Sequence, residues 1–178
     1  MSYYYPKPQT AEGDAALNAA LLAECEVSTY RASGPGGQHR NKVESAVRLR
    51  HRGSGITVIA EESRLQAENK VRALKRLRLA LALRVRNPVA AEGVPEAIAV
   101  CIGKDGRLKV GRRDQRYLPC ASTLLDVLSA HKGSVSAAAA RLGLTTGNLS
   151  SFLTNDDDLM LETNRLRAGF ELKPLRRN

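Results

Sequence analysis

Six residues in the first quarter of the chain combine three glycines and a proline with a side-chain amide, in the order Ser33-Gly34-Pro35-Gly36-Gly37-Gln38. A run of this composition does not form a helix or a strand. Glycine lets the backbone approach another molecule closely, and exposed backbone N–H groups at such a turn stabilise developing negative charge. The segment is therefore either an oxyanion-stabilising site or a glycine-rich surface loop, and the short pattern alone favours the loop.

Residues that bind metals or form disulfides are sparse and widely spaced. Cys25, Cys101 and Cys120 are odd in number, and the sequence has neither a C-x-x-C motif nor two histidines at metal-binding spacing. This spacing supports neither a disulfide framework nor a zinc site. We therefore expect no metal and no cofactor, and we expect the cysteines to be small buried residues in a reducing cytosol.

Positive charge is concentrated in the front half of the sequence. The 178 residues carry a net charge of +10, and residues 31–87 hold 14 Lys and Arg against 4 Asp and Glu. Such a balance indicates a polyanionic partner, with nucleic acid as the first candidate. Aromatic residues make up only 4% of the chain and there is no Trp. This composition disfavours the binding of single strands on stacked aromatic side chains.

The sequence offers no targeting or membrane signal. Its apolar runs are far shorter than the roughly 20 residues that a transmembrane helix needs. Residues 1–30 contain one Lys, no Arg and four acidic residues, which is unlike a mitochondrial transit peptide, and they lack the apolar segment of a signal peptide. We therefore expect a cytoplasmic protein that does not contact membranes.

Alternation and helical periodicity predict the elements that position the glycine-rich segment. A helix over residues 15–24 and a strand over 26–31 precede the segment. Strands over 46–51 and 56–60 follow it as an antiparallel pair, and a long helix over 63–86 covers the sheet. The apolar face of this helix is predicted from Ala67, Val71, Leu74, Leu77, Leu81 and Val85. The fold class is α+β, with a small mixed or antiparallel sheet and a long covering helix.

The back half is predicted to be a small all-α module with helix-turn-helix-like spacing. Residues 98–102 and 108–110 flank 103–107 in a pattern that allows a short hairpin. The predicted organisation is an N-terminal arm (1–12), the α+β domain (13–87), a linker (88–120) and the helical module (121–178). Residues 145–153 would be the recognition helix of a DNA reader, but they contain no Lys or Arg. We therefore favour an accessory module over a sequence-specific reader.

The glycine-rich segment belongs to a longer pattern that ends at residue 48. It closely resembles the R-x-S-G-x-G-G-Q-x-x-N-x-x-x-S-A-V-R pattern of the catalytic domain of class I peptide chain release factors and their relatives. The matching residues are Arg31, Ser33, Gly34, Gly36, Gly37, Gln38, Asn41, Ser45, Ala46, Val47 and Arg48. The long helix resembles the family's R-x-Q-x-x-N…A-L-x-x-L signature. Its matching residues are Arg64, Gln66, Asn69, Ala73, Leu74 and Leu77.

The resemblance covers about residues 26–86 and departs from the family at Arg40, where relatives usually carry a small apolar residue. It implies the fold of the release-factor catalytic domain and ribosome-dependent hydrolysis of the peptidyl-tRNA ester. Gly36, Gly37 and Gln38 are implied as the catalytic residues, with water as the nucleophile. The implied partners are large-subunit ribosomal RNA and peptidyl-tRNA. The implied RNA-binding residues are Arg31, Ser33, His39, Arg40, Asn41, Lys42, Arg48, Arg64, Arg72, Lys75 and Arg76.

Only 35 residues precede Gly36, which leaves no room for the codon-reading domains of stop-codon decoders. We therefore expect codon-independent termination or rescue of stalled ribosomes by a monomer. Two alternatives stay open at this point. One is a DNA-binding regulator that uses the helical module, and the other is an RNA-binding protein that has kept the fold but lost catalysis.

Overall fold

A computed structural model describes residues 11–31 and 44–177, which divide into two compact units at Leu81 and Ala82. The first unit contains one helix, three strands and most of a long helix, and the second unit is helical. The elements are α1 (Ala11–Ala23), β1 (Cys25–Tyr30), β2 (Ala46–His51), β3 (Thr57–Ala60), α2 (Gln66–Arg84), α3 (Glu96–Ala99), α4 (Tyr117–Ala130), α5 (Val135–Leu142), α6 (Thr146–Thr154) and α7 (Asp157–Ala168). No helix among the described residues is long and apolar enough to cross a membrane.

The sheet is antiparallel, with the strands in the order β1-β2-β3. Along β2, Val47 and Leu49 are buried, whereas Arg48 and Arg50 are exposed, which is the period of two that the sequence predicted. β2 and β3 join through a turn in which Gly55 has a φ of +71°, and the His51 N–H donates to the Ile56 carbonyl at 2.9 Å. The predicted antiparallel pair is confirmed, and the bounds of β2 are those predicted.

Helix α2 buries a row of residues spaced by four, namely Asn69, Ala73, Leu77 and Leu81. This spacing places the row on one face of the helix, where it forms the core of the first unit together with the buried side of the sheet. The prediction that Val71 lies on the buried face was wrong, since its side chain is 66% exposed. Ala67 is exposed as well, since both residues lie about half a turn from the buried row, whereas Leu74, Leu77 and Leu81 are buried as predicted.

In the second unit, helices α4 to α7 pack around buried leucines, and a polar side chain caps the start of each of the last three. The side chains of Ser134, Thr145 and Asp156 accept the backbone N–H groups of Ala137, Asn148 and Leu159. This capping satisfies N–H groups that the first turn of a helix leaves without an intrahelical partner. The sequence predicts a helix over residues 135–142, which are the bounds of α5, whereas the helix-turn-helix-like character of this unit stays a prediction.

Residues 88–120, predicted as a linker, contain the short helix α3, one antiparallel bridge between Ile102 and Leu108, and the first turn of α4. Helix α3 begins directly after Pro95, whose fixed φ suits the start of a helix. Ile98 is therefore helical and buried rather than part of a hairpin strand. The turn of the predicted hairpin is retained around Gly103 and Arg107. The predicted domain boundaries stay predictions.

The buried row of α2 yields a stability prediction. We expect Leu77→Ala to lower the free energy of unfolding by about 2–5 kcal/mol, because it leaves a cavity in the core. Val71→Ala, on the exposed face of the same helix, should change it by about 0.5 kcal/mol or less. Urea denaturation followed by far-UV circular dichroism measures both variants. Equal losses in the two variants would show that the buried face of α2 is assigned incorrectly.

Candidate functional site

The glycine-rich segment itself lies outside the described residues. Of the sequence-predicted site residues, those outside are Ser33, Gly36, Gly37, Gln38, His39, Arg40, Asn41 and Lys42. Those inside are Arg31, Arg48, Arg64, Arg72, Lys75 and Arg76. The structure therefore describes how the two ends of the segment are held and where the flanking cations lie.

Strands β1 and β2 fix both ends of the segment at one end of the sheet. The last pair in their register is Tyr30 with Ala46, so the chain leaves and re-enters the sheet at neighbouring positions. Next to this pair, Arg31 Nε lies 4.0 Å from Glu44 Oε1, and both side chains are more than half exposed. An exposed ion pair of this kind contributes little stability. The backbone pairing of the strands, rather than this salt bridge, closes the base of the segment.

The side-chain amide of Asn69 binds the chain where it returns to the sheet. Its Nδ2 donates to the Ser45 carbonyl at 2.7 Å and to the Ser63 carbonyl at 2.8 Å. Its Oδ1 accepts the Ser63 N–H at 2.9 Å. Asn69 is completely buried. A buried polar group that loses its hydrogen-bond partner destabilises the fold by its desolvation penalty, so each of these bonds matters for stability. One side chain thereby joins α2, the start of β2 and the turn after β3.

Gln66 adds a second contact to the same return point. Its Nε2 donates to the Glu44 carbonyl at 3.1 Å. Gln66 is the first residue of α2 and lies one turn before Asn69, so the two amides reach consecutive carbonyls of the returning chain. Ala46 and Val47, the next residues along, are buried in the core. The chain that returns from the glycine-rich segment is therefore held at Glu44 and Ser45 by two amide side chains, and by apolar packing directly after them.

Two of the sequence-predicted RNA-binding cations on α2 share an acidic partner. Arg76 contacts both the Ile59 carbonyl and the Glu62 carboxylate. Arg72 lies 4.0 Å from Glu62 and 3.7 Å from Glu68. The hydrogen bond from Arg76 lowers the pKa of the Glu62 carboxyl below its ordinary value, so Glu62 stays ionised beside its partners. Arg72 and Arg76 therefore present less free positive charge than the sequence indicates.

Other cations of the first unit keep their charge open to solvent. Arg64 and Lys75 are exposed and form no ion pair with any described residue, and Lys70 shares both properties although sequence reasoning did not single it out. On the exposed face of the sheet, Arg48 donates to the Ser28 hydroxyl at 3.0 Å, and Arg50 pairs with Glu26 at 3.3 Å. These positions can neutralise phosphate groups without breaking a buried contact.

Sequence reasoning gave Gln66 and Asn69 no role in the site beyond their match to a family signature. A signal was present for Asn69, because a polar residue stands in the buried row that continues with Ala73 and Leu77. A buried polar side chain on an apolar helix face requires hydrogen-bond partners. Among the described residues there is no group of three or more His, Cys, Asp or Glu side chains that could hold a metal ion.

Comparison with known proteins shows which family this framework resembles. A family model described as the RF-1 domain matches residues 20–97. Peptide chain release factor 1 of Leptothrix cholodnii is 47% identical over 83 residues, which are 46% of this chain and 23% of the relative. Peptide chain release factor 1 of Gluconobacter oxydans is 47% identical over 79 residues, which are 44% of this chain and 22% of the relative.

Peptide chain release factor 2 of Paramagnetospirillum magneticum is 51% identical over 59 residues, which are 33% of this chain and 16% of the relative. The matches to these three relatives cover less than a quarter of each relative's length. The family model ends at residue 97, so α4 to α7 lie outside it. The similarity therefore concerns the sheet, α2 and the segment between β1 and β2.

The Asn69 contacts predict a specific response to substitution. We expect Asn69→Asp to lower the free energy of unfolding by about 2–4 kcal/mol at neutral pH, because a carboxylate would face two carbonyl oxygens. That environment raises the pKa of the new carboxyl in the folded state above its unfolded value. Stability is then regained as the pH falls through the folded-state pKa, since the neutral acid donates one hydrogen bond.

Urea denaturation at about pH 7 and about pH 4 measures this effect. Gln66→Glu is the matched control, because Gln66 is exposed and makes a single bond to the Glu44 carbonyl. The free energy of unfolding of Gln66→Glu should fall by less than about 1 kcal/mol. A loss in Asn69→Asp that equals the control, or that does not shrink in acid, contradicts the assigned contacts.

Proposed function

We propose a function on the premise that this chain is a class I release factor-like protein. The premise rests on the match of residues 20–97 to the RF-1 domain and on the similarity to release factors. The proposed activity is hydrolysis of the ester that links a peptide to tRNA, carried out in the peptidyl transferase centre of the ribosome. The proposed setting is codon-independent termination or the rescue of stalled ribosomes in the cytoplasm, by a monomer.

The observation that carries the proposal is the attachment of the glycine-rich segment. The pattern that includes Gly36, Gly37 and Gln38 lies between two paired strands, and Asn69 binds its return point at Ser45. A rigid base of this kind limits the positions that the segment can reach. Positioning of reacting groups to within about 1 Å can change a rate by about 100-fold, so a fixed base favours a catalytic role over a plain connecting loop.

The proposed chemistry uses the backbone as much as the side chains. The Gln38 N–H would donate to the developing negative charge, or to the leaving 3′ hydroxyl of the tRNA. The Gln38 side chain would position the attacking water, while Gly36 and Gly37 would let the backbone come close to the ester. In this mechanism water is the nucleophile and no covalent intermediate forms on the protein.

The cations would dock the domain on ribosomal RNA. Arg64 and Lys75, which have no ionic partner among the described residues, are the strongest candidates for phosphate contacts. Arg72 and Arg76 would contribute after losing part of their interaction with Glu62. Each phosphate contact releases bound counterions, so affinity for the ribosome should fall steeply as salt is added.

The DNA-binding alternative has no support from the comparisons. The possibility that the protein binds RNA without catalysis is weaker than hydrolysis, because Gly36, Gly37 and Gln38 are all present. Peptide release is the readout that separates these functions.

We expect wild-type protein to release peptide from ribosomes stalled on truncated mRNA. Gly37→Ala should lower the single-turnover rate constant by about 100-fold, because a side chain would displace the backbone from the ester. Gln38→Ala should lower the rate constant by a smaller factor, since its backbone N–H is retained. Both variants should bind the ribosome like the wild type, because neither substitution changes a charge.

Gln115→Ala is the matched control, because Gln115 is exposed in the second unit and forms no hydrogen bond with any described residue. It should release peptide at the wild-type rate. Ribosome binding without peptide release by the wild type would exclude the hydrolase. Release that requires a stop codon in the mRNA would exclude codon-independent action.

A further inference from the structure

The exposed face of α6 in the second unit forms a polar groove that the proposed function does not use. The groove has a volume of about 440 Å³, and it is lined by Thr146, Gly147, Ser150 and Ser151 of α6 and by Arg176 and Arg177 near the C-terminus. Hydroxyl and guanidinium groups donate hydrogen bonds that suit the phosphate oxygens of a phosphodiester backbone. The groove contains no large apolar side chain that could anchor another protein.

The fold of the second unit does not require a glycine at position 147. Gly147 lies in the first turn of α6, where its φ is not positive, and a Cβ built at this position meets nothing within 4 Å. Glycine in a helix is less stable than alanine. The space beside Gly147 is open, so another molecule can approach the backbone of α6 closely at this position.

A basic hairpin adjoins one edge of α6. The Leu108 N–H donates to Asn148 Oδ1 at 2.9 Å, which ties the hairpin to the helix. The hairpin turn is closed by a bond from the Gly103 N–H to the Arg107 carbonyl at 2.8 Å. Lys104 and Arg107 at this turn are exposed and form no ion pair with any described residue. Helix α6 lacks cations of its own, but the hairpin supplies them.

The C-terminal segment adds positive charge at the other end of α6. Arg177 Nε donates to the Thr154 carbonyl at 2.7 Å, and its guanidinium also pairs with Asp157. Arg176, the next residue in the groove, has no ionic partner within the described part of the chain. Arg112 lies 2.5 Å from the carboxylates of both Asp156 and Asp158, so these acids oppose an approaching phosphate only weakly.

We propose that the α6 groove, with Arg176 in its lining and with Lys104 and Arg107 on the hairpin bonded to Asn148, docks the backbone of an RNA duplex without reading its sequence. Asn148 is the side chain of α6 best suited to contact base edges, but its oxygen is occupied by Leu108. Ser and Thr hydroxyls can instead bond phosphates and 2′-hydroxyls across the shallow minor groove of A-form RNA. The choice of RNA over DNA rests in part on the proposed function.

The test is fluorescence anisotropy of the full-length chain with a labelled RNA duplex of about 20 base pairs. A DNA duplex of the same sequence is measured beside it. We expect Gly147→Ala to weaken RNA binding by about fivefold or more, because the added methyl group obstructs the close approach. Its melting temperature should stay equal or rise. This combination separates docking from a structural role for Gly147.

The double variant Lys104→Glu, Arg107→Glu should weaken RNA binding by about tenfold or more, since each lost phosphate contact removes part of the electrostatic attraction. Lys132→Glu and Gly111→Ala are the matched controls. Lys132 is an exposed cation outside the groove, and a Cβ at Gly111 would also meet open space. Both controls should bind RNA within about twofold of the wild type.

Wild-type affinity in both Gly147→Ala and the double variant would overturn the proposal. Equal affinity of the wild type for the DNA and RNA duplexes would also overturn it, because the groove would then not recognise A-form geometry. Failure of the proposed hydrolase is distinguishable, since duplex binding is measured without ribosomes.

Discussion

The first unit depends on one buried amide. Asn69 uses both of its polar atoms to bind Ser45 and Ser63. It thereby joins α2 to the start of β2 and to the turn after β3. The same bonds fix the position at which the glycine-rich segment returns to the sheet. Because the side chain is completely buried, breaking any of its hydrogen bonds would leave a polar group without a partner in a region of low dielectric constant. Under the proposed function, catalytic positioning and folding share one set of contacts.

The cations among the described residues fall into two groups, those with an acidic partner and those without one. Arg72 and Arg76 share Glu62 and stabilise the surface of the first unit, whereas Arg64 and Lys75 have no ionic partner among the described residues. The second unit repeats this division, because Arg112 is held by two aspartates while other cations face solvent. A net charge of +10 alone indicates a polyanionic partner. The ion pairs show which of the described cations are available to bind a polyanion.

Local patterns predicted the elements whose residues follow one strong rule. The bounds of β2 follow from strict alternation, and the end of α5 agrees with the turn glycine Gly143. The face of α2 was harder to predict, because Val71 fits an apolar period and only the tertiary fold shows that it is exposed. The partners of Asn69 lie 6 and 24 residues away in sequence, so no local pattern reveals them. Ion pairs such as Arg76 with Glu62 are likewise a product of the fold.

We infer that, under the proposed function, the hydrogen bonds of Asn69 serve catalysis as well as folding. The most direct measurement compares single-turnover peptide release by Asn69→Asp and by Leu77→Ala, at saturating protein and at a temperature where both are folded. We expect a rate constant at least about tenfold below the wild type for Asn69→Asp, and within about twofold of the wild type for Leu77→Ala. Equal rate constants in the two variants would contradict this inference, because the hydrogen bonds of Asn69 would then contribute only stability.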